Sequence, residues 1–149
     1  MVTTARRAFL IGLDTPAIEA AIRQAEARTT GEIRLSIAGY FRGDPRRLAE
    51  RAFRRLGMDA TRSRNGVLIL IVPSRRQVVV LGDAGIHGRV GDEFWQRVAT
   101  ELATAIRANQ VNEGVLQAIA AVGDELARHF PAGTAPNANE LPDTIDVPR

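Results

Sequence analysis

"GVLILIVPSRRQVVVLGDAGIH" occupies residues 66–87, and its reading decides the fold. The first seven residues form an unbroken apolar run, the pattern of a central strand covered on both faces. "PSRR" (73–76) is a turn and "QVVVLGD" (77–83) reads as the next strand, so a connection of about four residues makes an antiparallel hairpin. The second strand stops at Gly82 and presents Asp83 in front of Gly85. An aspartate held between glycines at the rim of a sheet can close a turn, bind a ligand or act as a catalytic carboxylate.

Outward from the hairpin, "GEIRLSIAGY" (31–40) reads as a strand with Ile33, Leu35 and Ile37 on one side and polar residues between them. The helical segment "GDPRRLAERAFRRLGM" (43–58) separates it from the hairpin. Asp44 caps this helix, Pro45 follows, Gly57 ends it, and Leu48, Ala49, Ala52, Phe53 and Leu56 form its apolar stripe. A strand, a helix and a strand in succession imply parallel pairing with a right-handed crossover. An earlier helix begins near Asp14, Thr15 and Pro16 and buries Ile18, Ala21, Ile22 and Ala25. Two more follow the hairpin after a glycine-rich loop. One is capped by Asp92 and carries Phe94, Trp95, Val98, Leu102 and Ile106; the other runs over residues 113–130. The expected order is α-β-α-β-β-α-α, which packs as an α/β fold: a three-layer α/β/α sandwich with a small mixed sheet and helices on both faces. Residues 1–13 read as an N-terminal extension, 14–130 as the domain, and 131–149 as a flexible or draped tail rich in Pro, Gly, Asn, Asp and Thr.

The 149 residues suffice for one domain with a proper core. Cysteine is absent, which excludes disulfides, thiolate nucleophiles and cysteine metal sites. No window approaches the ~20 apolar residues of a membrane helix, and the short apolar stretch at 8–13 has the wrong flanks for a secretory signal. The chain therefore reads as soluble and cytoplasmic, and a monomer is expected. All twenty basic side chains are arginine and the net charge is only +3. The Arg–Arg pairs at 6–7, 46–47, 54–55 and 75–76 are scattered rather than interleaved with aromatics, so no nucleic-acid partner is expected. Walker-type loops, nucleophile elbows and paired metal-binding histidines are missing.

In this topology the end of strand 77–81 returns to the starting edge of strand 67–72, beside the start of strand 33–38. Thr30, Glu32, Asp59, Thr61, Asn65 and Asp83 then share one rim, with His87, Asp92 and Glu93 just beyond it. Oxygen ligands drawn from separate loops are what calcium or magnesium requires, and crowded carboxylates repel unless a cation or proton lies among them. Each residue also has a plain structural reading: Asp83 and Asn65–Gly66 as turn formers, Thr61 as a local cap, Glu32 as an arginine partner, Asp92 as an N-cap.

The ordered motifs "TTGEIRLSI" (29–37), "AFRRLGM" (52–58), "TRSRNGVLILIVPSRRQVVVLGDAGI" (61–86), "FW" (94–95), "EGVLQAI" (113–119), "HFP" (129–131) and "NELPD" (139–143) resemble the TPM domain family. The resemblance runs from about residue 14 to the end. It implies the same α/β/α sandwich, and a divalent cation, Ca2+ or Mg2+, at Glu32, Asn65, Asp83, Thr61 and Asp92. Plant thylakoid members are described as acid phosphatases linked to photosystem repair, bacterial members bind divalent cations, and many relatives carry a signal peptide and a membrane anchor. This chain looks like the standalone form. Two functions are thereby implied. One is a metal-dependent, acid-phosphatase-like hydrolase of phosphomonoesters, with Asp83 as metal holder or nucleophile and Arg64 or Arg89 steadying the phosphate. The other is a non-catalytic, cation-stabilised binding module that assists assembly or repair of a partner protein complex.

Overall fold

A computed structural model describes residues 4–133 and 141–148. The elements are α1 (Thr4–Gly12), α2 (Thr15–Glu26), β1 (Glu32–Ile37), α3 (Pro45–Arg55), β2 (Gly66–Val72), β3 (Gln77–Gly82), α4 (Ala84–Val90), α5 (Asp92–Arg107) and α6 (Val111–His129). Single 3-10 turns at Met58–Ala60 and Pro73–Arg75 flank β2.

The sheet has the order β1-β2-β3. β1 and β2 pair in parallel with Glu32 opposite Gly66 and Ile37 opposite Ile71. β2 and β3 pair antiparallel with Val67 opposite Gly82 and Val72 opposite Gln77. The expected mixed sheet and its hairpin are both present, closed by Arg76 in the left-handed region at φ 51°.

Every residue of β2 is buried. Val67, Ile69 and Ile71 join Ile33, Leu35 and Ile37 of β1 in a large core under α2, α5 and α6. Leu68, Leu70 and Val72 turn the other way and meet Ala49, Ala52 and Phe53 of α3, with Met58 beneath. The two apolar faces of one strand thus hold the two helical layers of the sandwich.

β1 differs from β2. Its large-core face is apolar, but its opposite face carries Glu32, Arg34 and Ser36, which are all buried. Residues 141–148 run alongside β1 and cover that face: Ile37 N donates to Asp146 O (2.9 Å) and Asp146 N donates to Leu35 O (2.8 Å). The pairing of Ser36 with Asp146 is parallel.

Two helices depart from the expected order. α1 forms where only an extension was read, and packs Phe9 and Leu10 against the large core. α4 replaces the expected glycine-rich loop. Asp83 caps it by accepting from Ala84 N (2.8 Å), and Ile86 is its buried anchor. Asp92 is the first residue of α5 rather than its cap, a position held by Gly91 at φ 79°. α2 and α3 are capped by Asp14 and Asp44 with proline at the first turn, as their sequences predict.

Gly85 is where α4 meets the loop before β2. A Cβ there would lie 2.2 Å from Ser63 O and 2.6 Å from Arg64 O, both main-chain atoms, and Gly85 N donates to Arg64 O at 2.8 Å. Gly85→Ala is expected to lower unfolding stability by about 1–3 kcal/mol, the usual cost of overpacking. Chemical denaturation should show a shifted midpoint with an unchanged slope.

Candidate functional site

The rim inferred from the topology exists. Asp83 N donates to Gly66 O (2.9 Å) and Glu32 N to Asn65 O (3.4 Å), so β1, β2 and β3 deliver their ends to one place. The side chains there divide into two clusters of different electrostatic character.

The first cluster centres on Asp83, whose side chain is only 7% exposed. A buried carboxylate needs a counter-charge or a proton, and Asp83 has a counter-charge. Arg64 Nε donates to Oδ2 (2.7 Å) and Arg64 Nη2 to Oδ1 (2.9 Å), a two-point fork that also fixes the carboxylate plane. The hydrogen bond and charge of Asp83 in turn raise the Arg64 guanidinium pKa further above its ordinary value. Arg64 reaches this position from a left-handed backbone, φ 51°. On the same loop Asn65 donates from Nδ2 to Thr30 Oγ1 (3.2 Å). Asn65 Oδ1 and Thr61 Oγ1 are buried oxygens with no hydrogen-bond partner among the described residues.

The second cluster is acidic and was not expected. Glu26, at the end of α2, is 3% exposed and Glu32 is fully buried. Glu26 accepts from Ile33 N (2.8 Å) and interacts with the carboxyls of Asp143 and Glu32. Burial first, then the hydrogen bond with Asp143 and the nearby Glu32, push the Glu26 pKa up to about 10, so this carboxyl carries a proton at neutral pH. Glu32 Oε1 accepts from Leu141 N (3.2 Å). Glu32 is therefore engaged with the carboxyl cluster and the C-terminal segment. In the sequence, Glu26 sits in an ordinary amphipathic helix and its acidic neighbours lie up to 117 positions away, so no local signal marks it.

The remaining expected site residues stand apart from both clusters. Asp92 lies at the far end of α4, roughly 10 Å along that helix from the Asp83 cap at 1.5 Å per residue. It faces His87 Nε2 at 3.7 Å. His87 Nδ1 accepts from Trp95 Nε1 (3.0 Å), which places the proton of the neutral ring on Nε2. The cleft shared by His87, Asp92 and Trp95 has a volume of about 180 Å³, below the ~300 Å³ at which ligand pockets begin. Arg89 lies over the Phe130 ring, 5.3 Å from its centre, and Asp59 is exposed, acting on Arg64 only through its charge.

A divalent cation fits this rim only in part. The donors around Asp83 are all oxygen, and two are without partners, as a hard cation would use. Both oxygens of Asp83 are however taken by Arg64, and among the described residues no group of three acidic or imidazole side chains is arranged to hold a metal ion. The ion and Arg64 would compete for the same carboxylate.

Residues 6–125 match the family model of the TPM domain. The chain is similar to the BA42 protein of the psychrophilic bacterium Bizionia argentinensis, solved by NMR, with 34% identity and a TM-score of 0.82 over 90% of this chain and 92% of that one. It shares its fold with the N-terminal domain of a P. gingivalis protein (17% identity, TM-score 0.67, covering 79% of this chain and 78% of that one). The N-terminal domain of cg2496 from Corynebacterium glutamicum is also similar (19% identity, TM-score 0.59, 80% of this chain and 74% of that one). No curated protein matches.

The raised pKa of Glu26 sets a direction for stability. The folded state keeps its proton between the ordinary value of 4.5 and about 10, whereas the unfolded chain has lost it. Its contribution is therefore full below about 4.5 and drains away as pH rises towards 10. Glu26→Gln, neutral throughout, is expected to remove this fall, so that denaturation midpoints of variant and wild type diverge between pH 6 and 9 in favour of the variant.

Proposed function

The chain belongs to the TPM domain family, and on that premise we propose that it is a cation-responsive binding module in which Arg64 occupies the place of the ion at Asp83. The observation that carries this reading is the fork of Arg64 on the buried Asp83 carboxylate. A guanidinium here does what a divalent ion would do: it places a positive charge against both oxygens of a buried carboxylate. Arg64 is half exposed and can withdraw into water at little cost, whereas Asp83 cannot follow it. With Arg64 withdrawn, Asp83, Asn65 and Thr61 would hold the ion. A bound ion would supply local positive charge for an anionic partner and tie the loop before β2 to α4.

The second reading, a metal-dependent phosphomonoester hydrolase, draws on the family resemblance and on an arginine beside a carboxylate. It asks more of Asp83, because a nucleophile needs a free oxygen. Both oxygens here accept hydrogen bonds, Oδ1 from Ala84 N as well. Binding is the simpler use of the geometry.

The experiment is an NMR titration with Ca2+ and Mg2+ on wild type, Arg64→Ala and Asp83→Asn, with phosphomonoester turnover assayed alongside. Asparagine caps a helix as well as aspartate does, so Asp83→Asn removes the charge and keeps α4. Saturable amide shifts confined to residues 61–66 and 83–86 are expected, lost in Asp83→Asn and about tenfold tighter in Arg64→Ala, equivalent to roughly 1.4 kcal/mol. Unchanged affinity in Arg64→Ala would overturn the competition. Turnover that disappears in a folded Asp83→Asn would move the assignment to the hydrolase.

A further inference from the structure

β1 is an edge strand, and edge strands with open N–H and C=O groups accept further strands. Here the position is taken by residues 141–148 of the same chain. The chemistry of the contact is uneven. Glu32, Arg34 and Ser36 are 0%, 6% and 0% exposed beneath the segment, yet none of the eight covering residues is itself fully buried.

What holds it is polar and centred on one residue. Asp146 accepts from Ser36 Oγ (2.7 Å) and from both terminal nitrogens of Arg55 (2.8 and 3.3 Å), and its main chain bridges Leu35 and Ile37. Elsewhere the Asp143 carboxyl hydrogen-bonds that of Glu26, Ile145 N donates to Glu19 (3.3 Å), Leu141 N to Glu32 (3.2 Å), and Arg6 reaches Pro148 O. Partial burial of Leu141 and Ile145 supplies the apolar part. Burial by itself would raise the Asp146 pKa, but the bonds from Arg55 and Ser36 outweigh it and hold that carboxyl below its ordinary value.

The face underneath is built for this kind of ligand. Every other inward-facing side of the three strands is aliphatic, so uncovering it would expose apolar surface to water. The face of Glu32, Arg34 and Ser36 can meet water without that penalty. It also holds an unused donor: Arg34 is nine-tenths buried, and its Nε has no hydrogen-bond partner among the described residues. α3 brings Arg55 to the groove, where it and Arg34 supply positive charge to the segment.

We propose that the groove between β1 and α3 is an acceptor site for an extended acidic segment of a partner protein. Residues 141–148 fill it in cis and compete with that partner. Main-chain pairing with β1 supplies affinity independent of sequence, and Ser36, Arg34 and Arg55 read an aspartate side chain at the position of Asp146. The site is separate from the Arg64–Asp83 pair and does not depend on a cation.

The test uses the full chain and the synthetic peptide LPDTIDVPR. Asp146→Ala removes the anchoring carboxylate of the resident segment, and the amides of residues 35–38 are followed by NMR as peptide is added. The peptide is expected to shift those amides in the variant and to bind wild type about tenfold more weakly, because the tethered segment competes at high local concentration. The same peptide with Asp146→Asn is expected to lose binding. Hydrogen exchange on wild type gives an independent reading: the Ile37 and Asp146 amides should exchange well before those of β2. The proposal falls if the variant does not bind peptide, if the asparagine peptide binds equally, or if Ile37 and Asp146 exchange only with β2. A doubled molecular mass for Asp146→Ala would also overturn it, by making a second copy of this chain the occupant.

Discussion

The fold depends on β2 having neither a face nor an edge in contact with water. Seven consecutive apolar residues can be placed that way only if both neighbouring strands complete its hydrogen bonds and a helical layer closes each side. β1 and β3 meet the first requirement, the first in parallel through a crossover and the second through a tight hairpin. α2, α5 and α6 close one side, and α3 closes the other. The rim where Asp83, Asn65 and Glu32 meet follows directly, because a hairpin and a parallel crossover on one central strand must bring those three chain positions to the same end.

Buried carboxylates at that rim are stabilised in two ways. Asp83 is paired with a guanidinium that forks onto it, and Glu26 gives up its charge by keeping a proton. The difference follows from what is in reach. Arg64 projects from the loop beside Asp83, whereas Glu26 is buried with the carboxyls of Glu32 and Asp143 as neighbours, which disfavours a charge on it. Two side chains of similar chemistry thus give one ion-paired carboxylate and one neutral, hydrogen-bonded carboxyl.

The large architecture was legible in the sequence because hydrophobic period encodes burial directly: an unbroken run for β2, alternation for β1, helical stripes for α2, α3, α5 and α6. α4 was not legible. Its seven residues include two glycines, and it forms because Asp83 caps it and Ile86 reaches the core, both consequences of tertiary structure. Thr61, Asn65 and Asp83 lie at the expected end of the sheet, but their partners were hidden. Arg64 pairs with Asp83, and Asp92 belongs with His87 beyond α4. The Ser36–Asp146 contact spans 110 positions, and the alternation of polar residues in β1 reads as an ordinary solvent-facing side until its covering segment is in place.

Trp95 is the chain's only tryptophan. Its ring lies against Gly82 so closely that a Cβ there would be 2.3 Å from the indole, and its Nε1 is held by His87. The indole is thus wedged at the end of β3, one residue before the carboxylate that Arg64 grips. Indole emission is sensitive to local polarity and to what its N–H touches, so the molecule carries an intrinsic fluorophore at the hinge between sheet and α4. A loosening of this corner would change the colour or intensity of that emission while the distant helices stayed optically silent.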